Sequence, residues 1–148
     1  MAVLVGTITD VGRRRQAESF ISTLAGYDVL SLKYFKIGEG GWISDGVSKI
    51  PKNPNPSLTD IEADGTPGNT YVQKDLTADK VQFILPSTAQ VECTLEMTEG
   101  NDNGYGEAPQ YFEIGLFDEQ DNMIVYATFP GETKNDVKIL RHFLLCVF

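Results

Sequence analysis

At 148 residues the chain is long enough to bury one substantial core and too short to divide readily into two domains. Its composition, 41% hydrophobic and 22% charged, excludes a disordered or collagen-like chain. Twelve basic against twenty-one acidic residues leave a formal charge of −9, which repels phosphate backbones and anionic lipid surfaces and argues against nucleic acid or a membrane surface as partner.

The opening "MAVLVGTITD" has no basic n-region and meets an aspartate at Asp10, so it does not make a signal peptide. No run of about eighteen apolar residues suggests a membrane span. Its β-branched character predicts a short strand, or an arm lying across a neighbouring subunit. From Asp10 the period changes. Val11, Ala17, Phe20, Ile21 and Leu24 predict an amphipathic helix over residues 10–24, with Thr9 or Asp10 as N-cap and Gly26 as the stop. Arg13, Arg14 and Arg15 read as its solvated side, or as a docking patch for an acidic neighbour. They stand at the wrong end for the helix dipole, at a cost of a few tenths of a kcal/mol each.

"VLSLKYFKIG" predicts a strand with Leu30, Leu32, Tyr34 and Lys36 on one face and Lys33, Phe35 and Ile37 on the other. Neither face is cleanly polar, so the strand is buried on both sides or meets another chain. It ends in "GEGGW", which opens no helix and therefore makes no phosphate cradle. Residues 42–70, beginning at Trp42, read as a long irregular insertion rich in Pro, Gly, Asn and Asp, of the kind that binds something or packs on a neighbour. "YVQKDLTADKVQFILP" resumes strand character around a polar break. "AQVECTLEMTE" alternates Val91, Cys93, Leu95 and Met97 against Glu92, Thr94, Glu96 and Thr98, the mark of a half-exposed strand. "GNDNGYGEAP" is a loop.

"YFEIGLFDEQDNMIVYATFP" predicts a hairpin. Phe112, Ile114 and Leu116 form its inward face, Gly115 leaves room for a packed neighbour, and Asp118 to Asn122 make a polar turn. Glu113 falls on the opposite face with no partner that would give it catalytic work. "DVKILRHFLLCVF" predicts a final strand with an open edge suited to β-augmentation by a partner. The fold class that follows is α+β: an antiparallel β-sheet or small β-sandwich with one N-terminal amphipathic helix, in a single domain spanning residues 1–148.

Catalytic chemistry finds no foothold. His142 is the only histidine and sits in an apolar run, where a core or interface role fits it better than a general base. Cys93 and Cys146 lack zinc or thioredoxin spacing and read as buried free cysteines, although a disulfide remains open. "NDNGYGE" fails the calcium-loop spacing, and no GxSxG, HExxH or P-loop pattern occurs. Glu92, Glu96 and Glu113 could meet glycosidase spacing only by coincidence. The expectation is a protein that is not an enzyme and carries no cofactor and no metal.

Thr9 and Gly12 at the helix start, Ile37, Gly38 and Gly40 after the strand, and Glu113, Ile114, Gly115, Leu116, Phe117 and Asp118 in the hairpin form an ordered set spanning nearly the whole chain. This set resembles the N-terminal domain of phage tail-collar fibre proteins, which attaches a fibre to the baseplate. The resemblance implies a structural virion component assembled in the host cytoplasm into the tail, with other tail proteins as partners: the baseplate wedge and a separate fibre. It also implies a homo-oligomer, a trimer by family habit. The family ordinarily continues into a shaft and a receptor-binding tip, whereas this sequence ends at Phe148, so the expected role is an adaptor. Candidate interface residues are Arg13, Arg14, Arg15, Trp42, Phe143, Leu145 and Phe148. The alternative is a carbohydrate- or small-ligand-binding β module using Trp42, Tyr105 and Tyr111 as stacking faces.

Overall fold

Alternating apolar and polar residues, cut by Gly, Pro and Asn, fold into eleven strands, two α-helices and one short 3-10 helix (Ala78–Lys80) over residues 2–148, which the computed structural model describes. Strands β2 (Thr7–Ile8), β10 (Met123–Thr133), β9 (Gln110–Asp118), β3 (Leu32–Gly38) and β6 (Tyr71–Asp75) form one sheet in that spatial order. Strands β1 (Ala2–Val5), β11 (Leu140–Val147), β8 (Thr88–Leu95) and β7 (Val81–Leu85) form the other. The two sheets share one core, to which Phe35, Ile37, Ile114, Leu116 and Ala127 come from the first and Val91, Cys93, Leu95, Leu144 and Cys146 from the second. This is the expected α+β class in its sandwich form.

One pairing departs from the antiparallel expectation. β1 runs parallel to β11, with Ala2 opposite His142 and Val5 opposite Leu145. The predicted N-terminal arm therefore stays on its own chain. β11, expected to offer an open edge, is paired on its other side with β8 from Leu140 to Val147, so it is an interior strand. The chain changes sheets at Gly6, whose N–H bonds Leu145 O at 2.8 Å and whose Cβ, if it had one, would lie 2.3 Å from Val125.

Helix α1 (Asp10–Phe20) begins where predicted. The Thr9 hydroxyl accepts from Gly12 N at 2.8 Å and donates to Met123 O at 2.6 Å, so one side chain both caps the helix and seats it on β10. Gly12 is there for contact distance, since a Cβ would come within 2.3 Å of Ile124 O. A break at Ile21 separates α1 from the short α2 (Ser22–Ala25), which stops at Gly26 with φ of 78°.

The helical stripe read as amphipathic is not the buried one. Gly12, Arg15 and Ser22 are buried, whereas Phe20 and Leu24 are 90% and 95% exposed. The cause is the seating: close backbone approach at Gly12 turns Arg15 inward.

β3 is buried on both faces, as its two-sided apolar pattern predicted. Phe35 and Ile37 enter the core between the sheets. Tyr34 faces outward and packs in a second cluster with Phe117, Met123, Tyr126, Ile61 and Ala63. Ile61 and Ala63 come from the insertion, which is the cover on the outside of the five-stranded sheet. The insertion is also less irregular than expected, because β4 (Trp42–Ser44) and β5 (Lys49–Pro51) form a two-stranded hairpin within it.

Candidate functional site

The hairpin β9–β10 turns through Asp118 to Asn122, with Asp121 at φ 63°. Asp118 organises the turn. Its Oδ1 accepts from Gln120 N at 3.0 Å and Asn122 N at 2.9 Å, and its Oδ2 accepts from Arg15 Nε at 3.0 Å. Both partners of this ion pair are buried. Arg15 is thus neither solvated nor a docking residue, and the pair ties the helix to the hairpin tip. Arg13 and Arg14 remain at the surface, where Arg14 pairs with Glu18 at 3.5 Å.

Glu113 is fully buried and far from idle. Its Oε1 accepts from Glu62 N and the Tyr126 hydroxyl, and its Oε2 accepts from Ala63 N, each at 2.8 Å. Burial pushes this carboxyl above the usual range against the pull of its donors, and burial beside it pushes the Tyr126 phenol up. The glycines of "GEGG" surround it: a Cβ at Gly38 or Gly40 would lie 2.6 or 2.7 Å from Glu113 Oε2. The "I-G-x-G" turn and the "E-I-G-L-F-D" strand therefore meet in space, and what they enclose is the chain's own insertion.

Two further buried charges act alike. Glu39 Oε2 accepts from Thr70 N at 2.9 Å and Thr70 Oγ1 at 2.8 Å, while its Oε1 accepts from Gln110 N at 3.1 Å. Lys134 Nζ donates to Asn101 Oδ1 at 2.6 Å and Asn135 O at 3.0 Å, holding the 96–109 loop. These carboxylates and cations are fasteners, each saturated by groups of the same chain.

Gly115 leaves room as predicted, for Met123 and Ile61, which a Cβ would meet at 2.8 and 3.0 Å. The inward face differs at one position. Ile114 and Leu116 join the core with Tyr111, whereas Phe112 is buried against Trp42 with ring centroids 6.4 Å apart. Trp42 is half-buried, and Lys49 Nζ lies 4.3 Å from its ring centroid. Tyr111 is buried with its hydroxyl donating to Gly100 O at 2.9 Å, so it offers no stacking face. Tyr105 is exposed.

His142 is a core residue, fully buried, with its ring 4.3 Å from that of Phe129. Neither ring nitrogen has a hydrogen-bond partner among the described residues, and Glu132 Oε1 lies 3.4 Å from Nε2. Burial lowers its affinity for a proton, an effect that Glu132 opposes and Lys138 reinforces. A histidine held neutral in the fold gives up stability as pH falls through its unfolded value of ~6.5, because the unfolded chain binds the proton first. The expected slope is at most ~1.4 kcal/mol per pH unit, and His142→Phe should flatten it between pH ~6.5 and ~5. Urea titrations at stepped pH measure both.

Cys93 and Cys146 are free and buried, and burial raises both thiols, that of Cys146 to about 11. Cys93 stands opposite His142 and Cys146 opposite Ala89. This four-residue offset separates their backbone positions by roughly 13 Å along the strands, beyond the Cα spacing that a disulfide spans.

No family model matches the chain, and no curated protein or solved structure does either. The candidate interface residues must therefore be judged by where they lie. Phe143 and Leu145 are partly buried on the outer face of the four-stranded sheet, and Phe148 is exposed beyond the end of β11. Among the described residues the edges of this sheet are instead β1, paired with β11 alone, and β7, paired with β8 alone. All five β7 residues, "VQFIL", are exposed, Phe83 at 77%. The run was read as a strand from its composition, but its edge position depends on pairings that no local pattern records. A cleft of about 320 Å³ lies beside it, lined by Leu32, Leu76, Val81 and Val91.

Proposed function

We propose that this chain is a structural adaptor that attaches tail fibres to the baseplate of a tailed phage or a related contractile injection particle, and that it works by docking rather than by catalysis. The observation carrying this reading is the β7 edge: five exposed residues with one row of backbone groups unpaired, flanked by an apolar cleft. Such an edge is a template for an extended segment of a partner, whose backbone completes the ladder while its alternate side chains enter the cleft. The ordered motif resemblance to tail-collar fibre proteins supplies the kind of particle. The buried charges support a non-enzymatic role, since Arg15, Glu39, Glu113, Asp118 and Lys134 are all engaged in holding segments of the chain together.

The test is incorporation into tails. The wild-type chain is expected to co-sediment with purified tail particles, and Phe83→Lys with Leu85→Lys should reduce its recovery at least about tenfold, a loss of ~1.4 kcal/mol or more. The melting temperature should be unchanged because both side chains are exposed. Recovery of the double variant with whole tails would sink the β7 mechanism. Absence of the wild-type chain from the tails would sink the adaptor reading itself.

A further inference from the structure

We propose that Lys134 and Asn101 become joined by an isopeptide bond that the folded chain forms on itself. Lys134 directly follows β10 and is completely buried. Lys36, Lys52, Lys74 and Lys80 each pair with a carboxylate. The oxygens around Lys134 Nζ instead belong to amides: Asn101 Oδ1 at 2.6 Å, Asn135 O at 3.0 Å and Met97 O at 3.4 Å. A buried ammonium is ordinarily matched by a countercharge. Here burial pushes the amine down against the pull of Glu99, which favours the neutral form whose lone pair is free to attack.

The carboxamide is held as firmly as the amine. Asn101 Nδ2 donates to Met97 O at 2.8 Å, so its nitrogen is fixed on one side and its carbonyl is turned toward the lysine. A carbonyl bond of ~1.2 Å then puts Asn101 Cγ no more than about 3.8 Å from Nζ, close to the ~3–3.5 Å of a near-attack pair. Attack forms the Nζ–Cγ bond and breaks the Cγ–Nδ2 bond. Two of the three ammonium protons of Lys134 go to the departing nitrogen, which leaves as ammonium, and the third stays as the N–H of the new amide. Atoms and charge balance without an oxidant or any other reactant. Met97, on the leaving side, is exposed and opens a way to solvent. The product places a neutral amide where a buried charge stood and ties the 96–109 loop covalently to the end of β10. The bond does not depend on the adaptor reading.

Mass spectrometry of the purified full chain, reduced, denatured and cleaved after Met123 with cyanogen bromide, tests it. That cut separates Asn101 from the C-terminal fragment, residues 124–148, which carries Lys134. In the wild-type chain the two pieces are expected to stay joined, with a mass one ammonia below that of the separate pieces together. In Lys134→Arg and in Asn101→Ala they are expected to come apart, each at its full mass. Free 124–148 with an unmodified Lys134 from the wild-type chain would overturn the proposal without recourse to any variant. So would an ammonia loss that survives Lys134→Arg, or one carried by the N-terminal piece alone, as a succinimide at Asn103–Gly104 would produce.

Discussion

Replacing Glu113 by alanine is expected to destabilise the fold by about 3–5 kcal/mol, the scale for stripping a buried charge from its partners. Three donors, Glu62 N, Ala63 N and the Tyr126 hydroxyl, would be left in a space with no acceptor. The melting temperature of a chain this size should fall by about 10 °C or more. Amide exchange should localise the damage, with Glu62 and Ala63 losing protection first because the insertion lifts from the sheet. Glu113→Gln should cost less, since it keeps one acceptor oxygen, and it carries a second readout. A carboxyl raised by burial holds its proton more tightly in the folded state than in the unfolded one. Stability therefore falls as pH rises from the ordinary value of ~4.3 to the raised folded value. The glutamine variant should lose that dependence. If alanine cost under ~1 kcal/mol, the carboxylate would not be what holds the insertion down.

The second large effect is expected at Arg15. Arg15→Met should cost about 3–5 kcal/mol, because it strands the fully buried Asp118 carboxylate without a cation. Adding Asp118→Asn should recover part of the loss, since the amide oxygen can still accept from Gln120 N and Asn122 N without a charge to compensate. The two substitutions should therefore be non-additive by at least ~1 kcal/mol in a double-mutant cycle followed by urea denaturation. Additivity would mean that the pair does not couple the helix to the hairpin. Arg13→Ala and Arg14→Ala, at the surface, should each stay within ~0.5 kcal/mol.

The features legible in the sequence are those set by local periodicity and by residues with special backbone chemistry. Val91, Cys93 and Leu95 alternate because β8 has one face in the core, and the alternation fails at Met97 because the strand has already ended at Leu95. Thr9 and Gly26 bracket the helical segment because a capping hydroxyl and a left-handed residue act within one turn. The hairpin tip was readable for the same reason.

What escaped was the identity of distant partners. An apolar stripe on α1 looked like its buried face, but Arg15 had a buried acceptor in Asp118, 103 residues away. No helical period reports such a pair. Glu113 looked idle because its donors are backbone groups of the insertion, whose residue types carry no sign of it. β11 is interior because β1 pairs with it in parallel, a contact between distant parts of the sequence, which leaves β1 and β7 as the two edges of that sheet. Of the candidate interface set, Phe143 and Leu145 share a face with Val3 and Val5, which were read only as part of a strand or arm.

The parallel pairing of β1 with β11 also governs when the protein can take shape. β11 lies between β1 and β8, yet it is the last described strand to emerge during synthesis. Until it arrives, the β7–β8 hairpin has no second neighbour in its own sheet. Closing that gap requires pairing Ala2 with His142, a long-range contact of the kind whose loop-closure cost slows folding. Its sandwich is thus completed after translation of the domain rather than during it, and the interval before β11 docks is when the chain is most exposed to mispairing.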